Sequence, residues 1–443
     1  MSAGRVVVLG GGSAGEAFVA ALRRLDADAP VTVVERELVG GECTYFACMP
    51  SKTLLRSTEL LAAARIAPGA AEALAGAPDA SRIFWWRDQV TDGLDDSGHA
   101  KWLADRSVEL VRGEARVVEP GLVEAGGREI HYDKLVIATG SDAAVPPIPG
   151  LEGTELWTSR EATSASDVPE SLLVLGGGAV GCELAQFYRR MGSRVGLVQR
   201  EDHLLKRQDR EAGLLLQKVF EEEGIEVHLK TEAARIEPGF RVELTNGKTV
   251  EAERLLVAVG RRPNVDGFGF EQLGVRLFKK GIVVDERLQA APGVWAIGDV
   301  SGVALFTHVG KYQGRVAAVN VAGGDAVADY RAIPAATFTD PQVASVGRTS
   351  GHGLATSTWK VNATARASTY ERPKRQGFLR VCADPKRRVV VGAVAVGPEA
   401  GEWIGQLTLA IRAEVPVDVI RDTIQPFPTF SEAVFFAVRE LPL

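Results

Sequence analysis

The sequence is poor in cysteine and histidine, and it contains no long apolar run. Of its 443 residues, four are cysteine and six are histidine. Four cysteines are too few for a secreted scaffold that disulfides hold together. No apolar run approaches the roughly 20 residues of a membrane span, and no block of basic residues indicates a nucleic-acid partner. We therefore expect a cytoplasmic globular protein with neither a membrane nor a nucleic acid as its partner.

The length and composition predict several domains. Hydrophobic residues make up 46% of the chain and charged residues 24%, and the formal net charge is −6. These values are ordinary for a globular protein. At about 150 residues per domain, a chain of this length suggests roughly three domains.

The chain contains the same strand–turn–helix unit twice. In the first copy, the apolar run 6–9 leads into a turn that contains Gly10, Gly12 and Gly15. A helix to about residue 25 follows, and the next apolar run ends in Glu35. This βαβ pattern is typical of dinucleotide binding, because the glycines allow a tight turn, a close approach of the pyrophosphate and close helix–strand packing.

The second copy begins with the apolar run 172–175. A turn that contains Gly176, Gly178 and Gly181 follows, then a helix to residue 191, and then a strand that ends in Gln199. A single glycine pattern is weak evidence, but each of these two follows a strand and opens a helix. We therefore predict two dinucleotide-binding units.

The rest of the chain continues the α/β alternation and then changes character. Apolar runs that end at glycine predict strands at 135–138, 255–259 and 294–297, and a helix is predicted over 209–223. The segment 143–150 contains three prolines and is predicted to be a linker. After about residue 330, alternating runs at 377–381 and 389–396, followed by a helix near 402–413, predict a separate α+β domain.

Cys43 and Cys48 form a close cysteine pair. In a straight helix five residues rise about 7.5 Å, which exceeds the usual Cα separation of about 7 Å in a disulfide. If these cysteines bond, the segment must be a distorted turn at a helix start, where thiol pKa values are lowered. The residues alone leave three alternatives: a redox pair, two inert core thiols, or half of a zinc site. Zinc needs further ligands at suitable spacing, and the six histidines supply no ligand pair, so we predict no metal site.

Seven motifs occur in one order along the chain. They are the first glycine motif with Glu35, the segment Cys43-x4-Cys48-x-Pro-Ser-Lys52, residues 138–141, the second glycine motif with Glu183, and residues 260–264, 296–299 and 338–347. In this order they resemble the FAD-dependent pyridine nucleotide-disulfide oxidoreductases, which include glutathione reductase, lipoamide dehydrogenase and mercuric reductase. The resemblance covers essentially the whole chain.

The resemblance implies an α/β fold with two Rossmann-like dinucleotide-binding domains and a C-terminal α+β dimerisation domain. We predict a discontinuous FAD-binding domain at 1–148 and 266–330. An NAD(P)H-binding domain is predicted at 149–265, and a dimer-interface domain at 331–443. The resemblance also implies a homodimer in which each active site borrows the C-terminal segment of its partner.

The resemblance assigns residues to FAD. Glu35 would hold the adenosine ribose hydroxyls through its carboxylate, and Asp299 would contact the ribityl or pyrophosphate region. Lys52 and Glu183 would form an ion pair beside the flavin. The other residues that the resemblance places at FAD are Gly10, Gly12, Gly15, Arg36, Gly113, Ala115, Thr139 and Gly140.

The resemblance also implies an electron path. Electrons would pass from NAD(P)H through FAD to a disulfide between Cys43 and Cys48. In this scheme Cys48 faces the flavin as the charge-transfer thiol. Cys43 is the interchange thiol that meets the substrate.

The second glycine motif would bind the nicotinamide nucleotide, together with Gly260. Enzymes that use NADH usually carry an acid at the end of the second strand, where it accepts a hydrogen bond from the ribose 2′-hydroxyl. That place holds Gln199, and Arg200 follows it. A missing acid beside a guanidinium fits a 2′-phosphate, so we expect NADPH to be preferred, with NADH also possible.

The C-terminal segment departs from the family pattern. The disulfide reductases carry a histidine there in a His-Pro-Thr context, with a glutamate five residues later. That histidine is the general acid/base of thiol interchange. Here Phe427 stands in its place, Glu432 remains, and Gln425 occupies the other common histidine position. Phenylalanine cannot transfer a proton, so we expect an acceptor other than an ordinary small disulfide.

The predicted catalytic set is Cys43, Cys48, Lys52, Glu183, Phe427 and Glu432. The predicted partner is a small-molecule electron acceptor of unknown identity, such as a metal ion or a quinone. Two alternatives stay open. Electrons could leave directly from FAD to a quinone or metal, as in a diaphorase, or the chain could be a non-catalytic flavin-binding sensor.

Overall fold

The computed structural model describes residues 4–278, 281–370 and 377–443. The chain divides into two compact units. The first comprises Met1–Pro50, Trp85–Ala144 and Gly260–Ala328, and the second comprises Ser51–Phe84, Val145–Val259 and Asp329–Leu443. One boundary falls between residues 144 and 145, inside the segment predicted to be a linker. The three-domain division predicted from the sequence stays a prediction.

The α-helices of the described residues are labelled in chain order. They are α1 (Ser13–Leu25), α2 (Gly41–Tyr45), α3 (Cys48–Ala64), α4 (Ala80–Val90), α5 (Ser97–Ala104), α6 (Ser159–Ser164), α7 (Ala179–Met191), α8 (Arg210–Glu222), α9 (Thr307–Val321), α10 (Ala400–Trp403), α11 (Gly405–Arg412), α12 (Val417–Asp422) and α13 (Glu432–Arg439).

The first unit is built on a six-stranded sheet. Its strands are buried runs rich in valine and isoleucine, as expected where helices cover both faces of a parallel sheet. All neighbouring pairs are parallel except the first. The strand order across the sheet is Gln289–Ala291, Val294–Ala296, Lys134–Ile137, Val6–Leu9, Val31–Glu35 and Val108–Arg112.

Smaller antiparallel elements complete the first unit. A three-stranded sheet contains Ala115–Glu119, Leu122–Ala125 and Arg128–His131. Two-stranded sheets pair Arg261–Pro263 with Ser141–Ala143 and Leu277–Phe278 with Gly281–Ile282.

The second unit contains a parallel sheet and two antiparallel sheets. The parallel sheet has the order Glu226–Leu229, Arg194–Gln199, Ser171–Leu175 and Arg254–Val257. A three-stranded antiparallel sheet contains Ala233–Glu237, Arg241–Leu244 and Thr249–Glu251. A five-stranded antiparallel sheet has the order Pro334–Thr337, Gln342–Gly347, Val389–Gly397, Phe378–Asp384 and Ala355–Lys360.

The predicted secondary structure is confirmed at both glycine motifs and needs one correction near the C-terminus. Helix α7 ends at Met191, and Gly192 caps it in the left-handed conformation with a φ of 113°. The prediction of a single helix near 402–413 was wrong. This region forms two helices, α10 and α11, which Ile404 separates. Gly401 and Gly405 lower the helix propensity on both sides of that break.

No helix among the described residues is long and apolar enough to cross a membrane.

Candidate functional site

The first glycine turn forms a cradle at the carboxyl end of the central strand. Gly10 has a φ of 111°, and a Cβ atom there would lie 2.3 Å from the carbonyl oxygen of Ala138. A Cβ on Gly15 would lie 2.2 Å from the carbonyl oxygen of Gly10. Both positions therefore require glycine. Helix α1 follows Gly12 without a side-chain cap, so its first N–H groups are available to an anion.

Glu35 closes one side of this cradle. Its Oε2 accepts a hydrogen bond of 2.8 Å from the N–H of Gly11, and its Oε1 accepts one of 2.8 Å from the N–H of Glu37. Each carboxylate oxygen has a second lone pair. Two neighbouring ribose hydroxyls could donate to these lone pairs, as predicted.

A cavity of about 260 Å³ opens beside Glu35. Six residues predicted to bind FAD line it: Gly10, Glu35, Arg36, Gly113, Ala115 and Thr139. Arg36 also lies 3.8 Å from the carboxylate of Asp142. The cavity contains glycine backbone, a carboxylate and a guanidinium, which fits an adenosine with its phosphates.

Asp299 lies in a polar cluster of the same unit. Its carboxylate accepts a hydrogen bond of 2.5 Å from the hydroxyl of Ser141, and it lies 3.8 Å from Nε of Arg261. Burial raises the pKa of Asp299, and Ser141 and Arg261 oppose that rise. Arg261 also lies 3.5 Å from Glu42, the residue before Cys43. The positive φ of Gly140, 71°, turns the chain between Thr139 and Ser141.

The residues present fit the adenosine, phosphate and ribityl parts of FAD. The fit rests on the two glycine positions that admit no Cβ, the spare acceptor capacity of Glu35 and the partly paired carboxylate of Asp299. Thr139 donates its hydroxyl to the carbonyl oxygen of Asn264 at 2.7 Å, so its side chain positions the chain around this site. The individual contacts to FAD stay predictions.

Cys43 and Cys48 lie on two different helices. Cys43 is in the short helix α2, and Cys48 begins α3. Phe46, with a φ of −130°, ends α2 and breaks the helical path between them. The expected distorted turn is therefore present. Gly41 makes it possible, because a Cβ on Gly41 would lie 2.7 Å from the Cα of Gly12.

The two cysteines are thiols in this structure and contact each other. The hydrogen bond with Cys48 raises the pKa of Cys43, and burial and the charge of Cys48 act in the same direction. The hydroxyl of Thr307 and the charge of Lys311 oppose that rise. Sγ of Cys48 lies 3.4 Å from Oγ1 of Thr307. The contact with Cys48 and burial therefore favour the protonated form of Cys43.

Lys52 and Glu183 form the predicted ion pair in the second unit. Nζ of Lys52 lies 2.6 Å from Oε2 of Glu183, whose side chain is only 4% exposed. The other oxygen of Glu183 accepts a hydrogen bond of 2.9 Å from the N–H of Phe338. The ammonium also lies 4.9 Å from the centre of the Phe338 ring. The role of the Lys52–Glu183 pair beside a flavin stays a prediction.

The second glycine turn repeats the geometry of the first. Gly176 has a φ of 112°, and a Cβ on Gly181 would lie 1.9 Å from the carbonyl oxygen of Gly176. Oε1 of Gln199 accepts a hydrogen bond of 3.3 Å from the N–H of Gly177. Gln199 therefore stands where Glu35 stands in the first turn, with a neutral group in place of the acid. A Cβ on Gly178 would meet no atom within 4 Å, so this side of the turn is open to a ligand.

Arg200 points its guanidinium toward solvent. Its side chain is 62% exposed and lies 3.4 Å from Glu201 and 3.6 Å from Glu232. These exposed pairs are weak, so a phosphate could displace them. Gly260 has a φ of 146° and follows the last parallel strand in sequence. The structure assigns it no further role.

Phe427 does not join a cluster of polar groups. Its side chain is 74% exposed. Glu432 begins α13, and among the described residues its buried Oε2 has no hydrogen-bond partner. The same is true of the buried Nε2 of Gln425.

The sequence prediction missed Thr307, Lys311, Glu42 and Arg261. Thr307 and Lys311 are separated from the thiols by more than 250 residues in sequence, and no local signal marks them. Arg261 lies in the motif 260–264, so the sequence could have assigned it to the site. Within the described ranges, no group of three or more histidine, cysteine, aspartate or glutamate side chains could hold a metal ion.

Two glycine turns that can hold dinucleotides, together with a pair of neighbouring thiols, are typical of oxidoreductases that use a flavin and a nicotinamide nucleotide. Comparison with known proteins agrees. Residues 4–326 match the family described as pyridine nucleotide-disulphide oxidoreductase, and residues 333–437 match the dimerisation domain of that family. The chain therefore belongs to the pyridine nucleotide-disulphide oxidoreductase family. Its cofactors are FAD and NAD(P)H, and the dimerisation domain supports a homodimer.

Two curated relatives and one solved structure illustrate the range of the family. A dihydrolipoyl dehydrogenase of Thermus scotoductus is 36% identical over 454 residues, with 98% of this chain and 97% of the relative covered. A mercuric reductase of Acidithiobacillus ferrooxidans is 34% identical over 448 residues, covering 97% of this chain and 81% of the relative. The Cu(II) complex of the HOCl-induced flavoprotein disulfide reductase RclA from Escherichia coli has a TM-score of 0.86 at 26% identity, covering 98% and 99% of the two chains.

Proposed function

We propose that the protein uses NADPH to reduce the Cys43–Cys48 disulfide through FAD, and that the resulting dithiol reduces a soft metal ion. The observation that carries this proposal is the thiol pair itself: two sulfurs in contact, in a chain with no base at position 427. Bound FAD supplies the two-electron relay between the nicotinamide and the sulfurs.

The transfer of electrons from the dithiol to a metal ion needs no general acid or base that acts on the substrate. The two sulfurs release two protons and two electrons, and a disulfide forms between them. The electrons reduce one Hg(II) to Hg(0) or two Cu(II) to two Cu(I). Thiolates are soft ligands that favour such ions, and a metal product needs no proton, unlike the thiol that leaves when a small disulfide is reduced.

Position 427 argues against ordinary disulfide exchange. Phe427 is exposed and apolar, so it can shield a substrate but cannot protonate a leaving thiolate. Small disulfides such as lipoamide are therefore expected to be poor substrates.

The relatives are consistent with this proposal without deciding it. One is named a mercuric reductase, and one solved structure is a Cu(II) complex. The dihydrolipoyl dehydrogenase is the counter-example, because its name points to lipoamide. The acceptor must therefore be tested directly.

The test compares acceptors in the wild-type holoenzyme and a Cys43→Ser variant. We expect NADPH-dependent reduction of Hg(II) or Cu(II) by the wild type, and a loss of at least about 100-fold in Cys43→Ser, which corresponds to about 2.7 kcal/mol. Cys182→Ser is the matched control, because Cys182 is fully buried and donates to the carbonyl oxygen of Gly177. Rapid lipoamide turnover by the wild type would contradict the proposal.

The alternative is direct electron transfer from FAD to a quinone, with the thiols as bystanders. The observation that favours it is Phe427, since a flavin exit also needs no base. Equal quinone and metal reduction by the wild type and Cys43→Ser would support this alternative. The preference for NADPH and the cytoplasmic location also stay predictions.

A further inference from the structure

The segment 36–40 connects the strand that ends in Glu35 to α2, the helix that carries Cys43. Residues 37–39 belong to no helix or strand. Gly40 makes an isolated parallel bridge to Gly12. The course of residues 37–39 therefore depends on hydrogen bonds from other parts of the first unit.

Arg112 holds this segment from the neighbouring strand of the sheet. It lies opposite Glu35 in the parallel register. Its Nη1 donates a hydrogen bond of 2.9 Å to the carbonyl oxygen of Glu37. The N–H of the next residue, Gly113, donates one of 3.0 Å to the carbonyl oxygen of Glu35. The end of this strand therefore holds the backbone on both sides of Arg36.

Asp96 holds the same segment from the start of α5. An aspartate in the position before a helix usually accepts hydrogen bonds from the first N–H groups of that helix, but Asp96 makes no such bond. Its Oδ2 accepts instead from the N–H of Val39 at 2.7 Å. The guanidinium of Arg112 donates to both oxygens of Asp96, at 2.6 and 2.9 Å. The side chain of Asp96 is 13% exposed, so this pair is better shielded from water than a surface salt bridge.

These contacts lead to the carboxylate of Glu35. The carbonyl oxygen of Glu37 accepts from Arg112, and the N–H of Glu37 donates to Oε1 of Glu35 at 2.8 Å. The other carboxylate oxygen accepts from the N–H of Gly11. A shift of the backbone at Glu37 would therefore displace one of the two oxygens that are predicted to accept from the ribose hydroxyls.

We propose that Arg112 and Asp96 position the carboxylate of Glu35 for the adenosine ribose of FAD. They fix the N–H of Glu37, which orients Oε1, and so keep both oxygens in place for two neighbouring hydroxyls. An acceptor that is already oriented lowers the cost of binding. Both residues act through Glu35 and are positioning residues. The inference rests on the predicted contact of Glu35 with FAD and is independent of the proposed electron acceptor.

The test is the rate at which bound FAD exchanges with isotope-labelled FAD. Purified holoenzyme is incubated with an excess of labelled FAD, and the label in the protein-bound FAD is followed by mass spectrometry, so that exchange reports release. We expect Arg112→Met and Glu35→Gln each to speed release about tenfold, as for the loss of one well-placed hydrogen bond. Arg112→Lys, which keeps the charge but not the planar fork of donors, replaces Arg112→Met in every comparison if the methionine variant does not fold.

The double variant Arg112→Met/Glu35→Gln separates positioning from a general loss of stability. If Arg112 acts through Glu35, the double variant should release FAD no faster than Glu35→Gln alone. Independent effects would multiply to about 100-fold, and that result would overturn the inference.

Arg128→Met is the matched control. Arg128 belongs to the same unit and forms an exposed ion pair with Glu109, so its loss should leave the release of FAD unchanged. An unchanged rate in Arg112→Met, or an equal acceleration in Arg128→Met, would overturn the inference. A wild-type rate in Glu35→Gln would overturn it as well, because the ribose contact would then be absent. Exchange of FAD involves no electron acceptor, so a failure of the proposed function leaves these rates unchanged.

Discussion

Nζ of Lys52 lies 2.6 Å from a glutamate, Glu183, whose side chain is almost completely buried. The second oxygen of Glu183 accepts from the N–H of Phe338. This carboxylate therefore holds α3, α7 and the strand region near residue 338 of the second unit through two charge-assisted hydrogen bonds. It is a structural contact as well as a predicted part of the flavin site.

Glu183→Ala should destabilise the protein. The substitution removes both hydrogen bonds and leaves the N–H of Phe338 without its acceptor, which costs about 2 to 3 kcal/mol. Denaturant unfolding at fixed protein concentration measures this loss. Glu59→Ala on α3 is the control, because its pair with Arg56, at 3.0 Å, is exposed. A loss in Glu183→Ala no larger than in the control would show that the pair contributes little.

Asp96 gives a prediction about pH. Arg112 binds both oxygens of Asp96, at 2.6 and 2.9 Å, and the N–H of Val39 adds a bond of 2.7 Å. The hydrogen bond from Arg112 is the main reason that the pKa of Asp96 is lowered. A lowered folded-state pKa stabilises the protein above the ordinary carboxyl pKa of about 3.9 and loses that effect as pH falls through the folded value.

Asp96→Asn should therefore be less stable than the wild type by about 1 to 2 kcal/mol at pH 7. The difference should stay constant down to about pH 4.5 and shrink below it. Asp105→Asn, in an exposed pair with Lys101, should change stability little at any pH. A difference in stability between the wild type and Asp96→Asn that grows as pH falls would contradict this prediction.

The nucleotide preference depends on Gln199 and Arg200. Arg200→Ala should lower kcat/KM for NADPH about tenfold, or about 1.4 kcal/mol, and leave NADH nearly unchanged. Gln199→Glu places an acid where a 2′-phosphate would lie and should shift the preference toward NADH. Lys218→Ala, on an exposed pair with Glu222, is the control. A higher kcat/KM of the wild type for NADH than for NADPH would show that the predicted preference for NADPH is wrong.

Phe427→His should create reduction of small disulfides. The new imidazole would supply the general acid/base that phenylalanine cannot supply. We expect lipoamide or glutathione disulfide turnover to rise at least about 100-fold, the lower end of the range of about 10²- to 10⁴-fold for general acid/base catalysis. Phe427→Leu controls for the loss of the aromatic ring. Equal disulfide turnover in the two variants would show that the missing base is not the limiting part.

Much of the fold could be predicted from local sequence. The strands Val6–Leu9 and Ser171–Leu175 and the helices that follow them are fixed by apolar runs and by glycines whose Cβ atoms would clash with backbone. These signals are local, so one sequence suffices to find them. The helix near residue 404 was misjudged because two glycines interrupt an otherwise continuous apolar pattern.

The candidate site could be predicted only where a motif carried it. The Cys43–Cys48 segment and Glu35 stand in recognisable patterns. Thr307 contacts Cys48 from 259 residues away in sequence, and that is a tertiary contact with no signature in the local sequence. The contact between Glu16 and His99 likewise joins residues that are far apart in sequence.

An anaerobic titration of the oxidised holoenzyme with NADPH tests the central claim most directly, because it counts where the electrons go. If the Cys43–Cys48 disulfide accepts electrons from FAD, each FAD should take up four electrons, with a long-wavelength thiolate–flavin absorbance band at the two-electron stage and no such band in Cys48→Ser. Uptake of only two electrons per FAD, without that band, would contradict the account and leave the thiols outside the electron path.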